Sequence, residues 1–276
     1  MKKIYTALLF LVVIISITFA ADYKRIVSLA PSVTESLYEL GMDNEIVGIT
    51  IYCPKGQSKK EIIGTLLEPD IEKIMLLNSD LIVATKEGNN KAVVEKLIRL
   101  GFNVFVMDTS ENFIEICSNF YALAKKIGKE EIAVEIIDNA KEYSEEVLNM
   151  FEGIEKQSVF WEVGARPLYT AGKQSFVNDY NYFTKTGNIY ADVNMRYPPI
   201  DIEDVLKRNP DIIIMVNMGD VSAAETELWK KYKTLNAVKN GKIFMIDVND
   251  IFTPTPSTFA KGLKIISKML YPEIFR

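Results

Sequence analysis

The sequence predicts an α/β protein of two doubly wound lobes with mainly parallel sheets, joined by one long α-helix. Three observations predict it. Short apolar runs alternate with amphipathic segments along most of the chain, the pattern of strands and their covering helices. One stretch, 129–153 (KEEIAVEIIDNAKEYSEEVLNMFEG), keeps a helical period longer than any other and contains no strand-like run. On either side of it, 70–83 (DIEKIMLLNSDLIV) and 201–214 (DIEDVLKRNPDIII) share Asp, Ile, Glu, Asn, Asp and Ile at matching places without gaps. Each copy reads as a short helix opened by an aspartate cap, closed near an asparagine and leading into an apolar strand. Two copies are too few for a solenoid, which leaves a duplicated lobe.

Residues 1–20 stand apart from the rest. A basic start (Lys2, Lys3), an almost purely apolar run and the small residues Thr18 and Ala20 match a signal peptide cleaved before Ala21. An uncleaved membrane anchor is the alternative, since the run is nearly long enough to span a bilayer. No cysteine follows it, so no lipid is expected at a new N-terminus. The expected address is therefore the periplasm. Hydrophobic content of 48% and charge of 25% are those of a globular protein. The net charge of −5 becomes more negative without Lys2 and Lys3, and no basic run stands out, so no nucleic-acid partner is expected. Cys53 and Cys117 are the only cysteines; their spacing leaves pairing open.

The first lobe is expected over 21–128. A strand at 25–29 runs into Pro31 and Ser32, and the spacing of Ser32 and Glu35 suggests a capping box opening a helix to Gly41. Strands follow at 46–51, 81–85 and 103–107, and helices at 71–77, 90–100 and 111–127. The linking helix over 129–153 would carry Ile132, Ile136, Ala140, Tyr143, Val147 and Phe151 on its inner stripe, with acidic residues early and Gly153 as its stop. It reads as a strut between the lobes.

The second lobe is expected over 154–276: strands at 158–163, 212–216 and 242–248, and helices at 174–186, from 202, at 225–232 and at 257–270. The segment 189–199 reads as an irregular loop. In open parallel sheets ligands collect beyond the carboxyl ends of the strands. That rule selects Pro31, Ser32, Tyr52, Lys86 and Asp108 in the first lobe, and Arg166, Tyr169, Asn217 and Asp250 in the second. Tyr197 joins them from the proline-bounded loop.

Histidine is absent from the chain. That removes imidazole-activated nucleophiles and every histidine-containing metal site. There is no phosphate-binding loop or dinucleotide fingerprint, and no cofactor is expected. A binding protein rather than an enzyme is the leading reading.

At 25–35 (RIVSLAPSVTE), with 69–85 and 197–215 around the repeats, the chain resembles the periplasmic substrate-binding proteins of ABC importers for cobalamin, haem and ferric siderophores. The resemblance covers nearly all of 24–272. It implies two α/β lobes on one long helix, a monomer, capture of ligand in the interlobe cleft and delivery to an ABC permease dimer in the inner membrane. It implies that Glu72 and Glu203 dock into arginine pockets of the permease, one glutamate per subunit. It makes Tyr52, Tyr169 and Tyr197 the nearest matches to the rings that flank a corrin, with Asp250 as a polar neighbour. The match departs from the best-known cobalamin binder where tryptophan or phenylalanine is replaced by Lys86 or tyrosine. Tyrosine could also ligate haem iron, and Lys86, Arg166 and Arg196 could meet carboxylates of haem or of a siderophore. The histidine-dependent metal-ion branch is disfavoured. Cobalamin ranks ahead as the cargo; a secreted α/β enzyme and a sensory exoprotein of the same fold are the competing readings.

Overall fold

A computed structural model describes residues 22–217 and 223–275; the leader expected at 1–20 lies outside the described residues. The first lobe runs β1 (Ile26–Ser28), α1 (Pro31–Glu39), β2 (Ile46–Ile49), β3 (Glu61–Ile62), α2 (Ile71–Leu76), β4 (Leu81–Thr85), α3 (Lys91–Arg99), β5 (Val104–Met107) and α4 (Phe113–Ile127). Its five strands are all parallel, in the order β3-β2-β1-β4-β5. The winding reverses between β1 and β4, so their carboxyl ends open a crevice there.

After the linking helix α5 (Glu130–Met150), the second lobe runs β6 (Ser158–Ala165), β7 (Leu168–Thr170), α6 (Val177–Phe183), β8 (Gly187–Asn188), α7 (Ile202–Arg208), β9 (Ile212–Asn217) and α8 (Ala223–Trp229). It closes with α9 (Asn236–Lys239), β10 (Ile243–Asp247), α10 (Val248–Ile251) and α11 (Pro256–Leu270). Strands β8, β9 and β10 extend this sheet in parallel from β6, while β7 folds back antiparallel on the end of β6.

The duplication is visible in the sheets. In each lobe the repeat's strand, β4 or β9, lies directly beside the lobe's first strand, β1 or β6. The aspartate that follows each repeat helix clamps the start of that first strand. Asp80 accepts from the Lys24 and Arg25 amides at 2.7 and 3.1 Å, and Asp211 from the Ser158 amide and hydroxyl at 2.9 and 2.7 Å. Asn78 and Asn209 both take φ of 46°, the left-handed turn asparagine tolerates at a helix end. One detail differs from expectation: Asp70 caps the Lys73 amide at 3.1 Å, whereas Asp201 holds the cap position without a side-chain bond.

Helix α1 also starts differently from expectation. Pro31 takes its first position and Ala30 caps it without a side-chain bond, so Ser32 lies inside the first turn. Proline's fixed φ already sets a helical start, which makes the Ser32 capping box unnecessary. Helix α6 is shorter than the expected 174–186, with Lys185 at φ of 54° just past its end.

Helix α5 has 21 residues, about 31 Å at 1.5 Å per residue. Its buried face is Ala133, Ile137, Ala140, Ser144 and Val147, a stripe displaced from the expected one. Ile132 is exposed, and Ile136 and Tyr143 lie at the flank. The helix packs against α4, α6 and α11 at once, and such close neighbours favour small residues over long ones at the contact.

The lobes therefore share a core instead of being held apart. One hydrophobic cluster runs from Ile26 of β1 through Val147 of α5 to Leu270 of α11. At its centre Phe259 of α11 stacks on Phe113 of α4 and on Tyr180 of α6, both at 4.4 Å between centroids. Two polar bridges flank the stack: Asp179 accepts from the Phe113 amide at 2.6 Å, and Thr255 donates to Glu39 at 2.6 Å.

Candidate functional site

The crevice at the β1/β4 switch point faces the second lobe across a cleft of about 480 Å3. Pro31, Ser32, Tyr52, Thr85 and Glu87 line it from the first lobe, and Phe176, Asn249, Phe252 and Thr253 from the second. Beyond Phe252 lies a second, apolar cavity of about 300 Å3 walled by Val163, Tyr169, Tyr197 and Phe252. Phe252 is the shared wall. Its ring meets Phe176, itself fully buried, at 5.7 Å and Tyr197 at 5.9 Å, so three aromatic rings are packed in a row along the second-lobe side. Each volume is within the range typical of small-molecule sites.

The floor on the first-lobe side is pinned by one amide. Asn89 donates to the Leu29 and Leu66 carbonyls at 2.9 and 3.0 Å and accepts from the Thr85 amide at 2.8 Å. It thereby ties the ends of β1 and β4 to the loop before α2. In the second lobe the 189–199 loop is laced to β7 and the residues after it: the Thr170 amide donates to Pro198 at 3.1 Å, and the Gly172 amide to Arg196 at 2.9 Å. A Cβ on Gly172 would lie 2.2 Å from the Met195 carbonyl oxygen. Only glycine allows that approach, and it fixes where Arg196 and Tyr197 emerge.

Arg196 spans the cleft. Its Nη2 donates to Glu87 at 2.9 Å and to the Ser110 carbonyl at 2.7 Å, and its guanidinium lies 5.6 Å from the Tyr197 ring centroid.

The residues selected from the sequence divide into two groups. Ser32 and Tyr52 line the larger cavity, Tyr169 and Tyr197 the smaller, and Arg196 braces the larger through Glu87. Lys86, Arg166 and Asp250 line neither. Lys86 pairs with Asp108, Arg166 with Glu225, and Asp250 with Lys261 of α11 at 2.9 Å. Asn217 closes β9, half-buried, and lines neither cavity. Glu72 and Glu203 are exposed in the first turns of α2 and α7. Those helices run back against the strands that follow them, which puts both glutamates on the side of the strands' carboxyl ends, where the cleft is.

Glu87, Phe176, Asn249, Phe252 and Thr253 escaped the sequence reading. The strand-end rule stopped at Asp250, but β10 leads straight into the single turn of α10. Residues two apart on a helical turn point to nearly opposite sides, so Asp250 faces α11 while Phe252 faces the cleft.

Both cysteines are buried and free, which answers the pairing question among the described residues. Burial raises several carboxyls, Glu87 and Asp179 among them, and it acts most on half-buried Glu39 and buried Glu162. Glu39 and Glu162 are each pushed up to about 7, in both cases first by burial. Glu162 accepts from the Trp229 indole at 2.5 Å, and Glu225 nearby adds repulsion. Their folded pKa values lie above the ordinary 4.5. Between those values the native state keeps protons that the unfolded chain has released, so stability falls as pH rises from about 4.5 through about 7. The thermal midpoint should be several degrees lower at pH 8 than at pH 5. Glu162→Gln should remove part of that slope, on the order of 1–3 kcal/mol. Calorimetry across that range checks it, and a slope unchanged in the variant would refute the assignment.

The family described as periplasmic binding protein matches residues 26–249. An uncharacterized ABC transporter substrate-binding lipoprotein of Bacillus subtilis is 28% identical over 268 residues, covering 94% of this chain and 84% of its own. A vitamin B12-binding protein of Vibrio cholerae is 26% identical over 238 residues, 85% of each chain. Among solved structures, a possible iron-binding periplasmic solute-binding protein of Staphylococcus epidermidis superposes with a TM-score of 0.79 at 31% identity. That match covers 91% of this chain and 99% of the other.

Proposed function

This chain belongs to the periplasmic binding protein family, and from that premise we propose that it is the extracytoplasmic capture subunit of an ABC importer. It is a binding protein and not an enzyme. It takes up a large, flat or chelated cargo of the cobalamin, haem or ferric-siderophore kind in the interlobe cleft, with cobalamin ranked first. It then hands the cargo to the permease. The observation that carries this reading is the pair of adjoining cavities at the switch point, walled by Phe176, Phe252 and Tyr197 and floored by short polar side chains. Aromatic faces suit a flat macrocycle or an organic chelate shell, and the hydroxyl and amide groups fix its orientation.

Export follows from the leader at 1–20, cleaved before Ala21. Docking falls to Glu72 and Glu203, whose matched places in the two repeats suit a twofold partner. The test is calorimetric titration of the mature chain with cyanocobalamin, haemin and ferric siderophores. Trp161 and Trp229 are both buried away from the cavities, so heat is the better readout than tryptophan emission. Binding of one class at micromolar affinity or tighter, with the cargo recovered unchanged, is the expected result. Turnover of any of them would reject the carrier reading.

A further inference from the structure

Each of the three cations selected from the sequence as a ligand contact already has an acid of this protein beside it. Arg196 donates to Glu87 through Nη2 at 2.9 Å, and its Nε lies 2.8 Å from the same carboxylate as an ion pair. Lys86 is paired with Asp108, and Arg166 with Glu225, whose side chain is only 8% exposed. Among the described residues Glu87 is the single charged side chain lining either cavity, and Arg196 balances it. The rest of the lining is aromatic, aliphatic, hydroxyl or amide.

Resting on the capture reading above, we propose that the cleft selects a cargo without net negative charge. A neutral corrinoid or a neutral ferric hydroxamate chelate fits; a dicarboxylate porphyrin or a ferric catecholate does not. An anionic cargo has two ways to use these cations, and both are unfavourable. Sharing a cation places the incoming charge beside Glu87, Asp108 or Glu225, where like charges repel. Displacing the resident acid strands it, and for the buried Glu225 that means a desolvated carboxylate without its partner. The exposed Lys86–Asp108 pair is the easiest to part, since ion pairs in solvent contribute little. Even there Asp108 stays next to the newcomer. A neutral cargo meets none of these costs. Its carboxamide or hydroxamate oxygens can take hydrogen bonds from Ser32, Thr85 or Asn249 while its apolar parts lie on Phe252.

The experiment titrates the mature chain with cyanocobalamin, a neutral ferric trihydroxamate, haemin and a ferric tris-catecholate, at low salt and at about 1 M, where charges are screened beyond about 3 Å. One of the two neutral cargoes should bind, the two arms separating corrinoid from hydroxamate. Its affinity should change less than about twofold with salt, and both anions should bind at least about 100-fold more weakly. Glu87→Gln leaves Arg196 unbalanced, and should improve the anions relative to the neutral cargo by at least about tenfold. Should that variant fold poorly, Glu225→Gln unbalances Arg166 to the same end, and the wild-type comparison needs neither. Haemin or the catecholate binding more tightly than both neutral cargoes overturns the charge rule and leaves the carrier reading standing. If none of the four binds, the carrier reading fails and takes this inference with it.

Discussion

Replacing Glu72 and Glu203 together by arginine should reduce uptake of the cargo by at least about 100-fold while its affinity for the purified protein stays within about twofold. The two effects separate because the residues are in different places. Both glutamates are exposed in first helical turns, and neither lines a cavity. On the docking role proposed above, charge reversal turns an attraction for cationic pockets into a repulsion at both contacts of a twofold partner. Each single reversal should cost about tenfold, because one contact survives. The readout is ATPase stimulation by the loaded protein in a reconstituted importer, beside calorimetry on the carrier alone. Lost affinity with intact stimulation would move these residues from docking to capture.

How far such features could be read from the chain depends on how local their causes are. The repeat was legible because it is local: an aspartate, a short helix, an asparagine and an apolar strand in fixed register. Its hidden reward, Asp80 and Asp211 clamping the first strands, follows from that register too. The inner face of α5 was not legible. Its apolar pattern allows two neighbouring stripes, and the choice falls to Ala133, Ala140 and Ser144 only because α4 and α11 press on that side. The strand-end rule selected Ser32 and Tyr52 in the first lobe, where chain order and strand end coincide, and both line the larger cavity. It also selected Asp250, but one intervening turn puts Phe252 on the cavity wall in its place. It also placed Lys86 and Arg166 as ligand contacts, since a sequence shows a cation but not the acid folded beside it. Glu87 became visible only as the partner of Arg196, a residue far along the chain in the other lobe.

Phe259→Ala should be the most damaging single truncation. The ring is fully buried, and deleting such a phenylalanine costs about 3–5 kcal/mol in transfer and cavity terms. It also removes two stacked partners, Phe113 and Tyr180, each worth about 0.5–1.5 kcal/mol beyond area. For a chain of this size every kcal/mol moves the midpoint by about 2–4 °C, so a fall of at least about 10 °C is expected. The manner of unfolding is more telling than the midpoint. If the lobes met only through α5, losing Phe259 would lower one calorimetric transition and leave the other unmoved. With one core running from β1 to α11, the wild type should melt in a single transition and the variant should shift the whole of it. Cargo affinity should fall as well, because Phe113 and Phe259 set the registry of the two walls, and Arg196 reaches Glu87 only while that registry holds. Two separate transitions in the wild-type protein would mean that the lobes are independent bodies, and the shared core would then have to be abandoned.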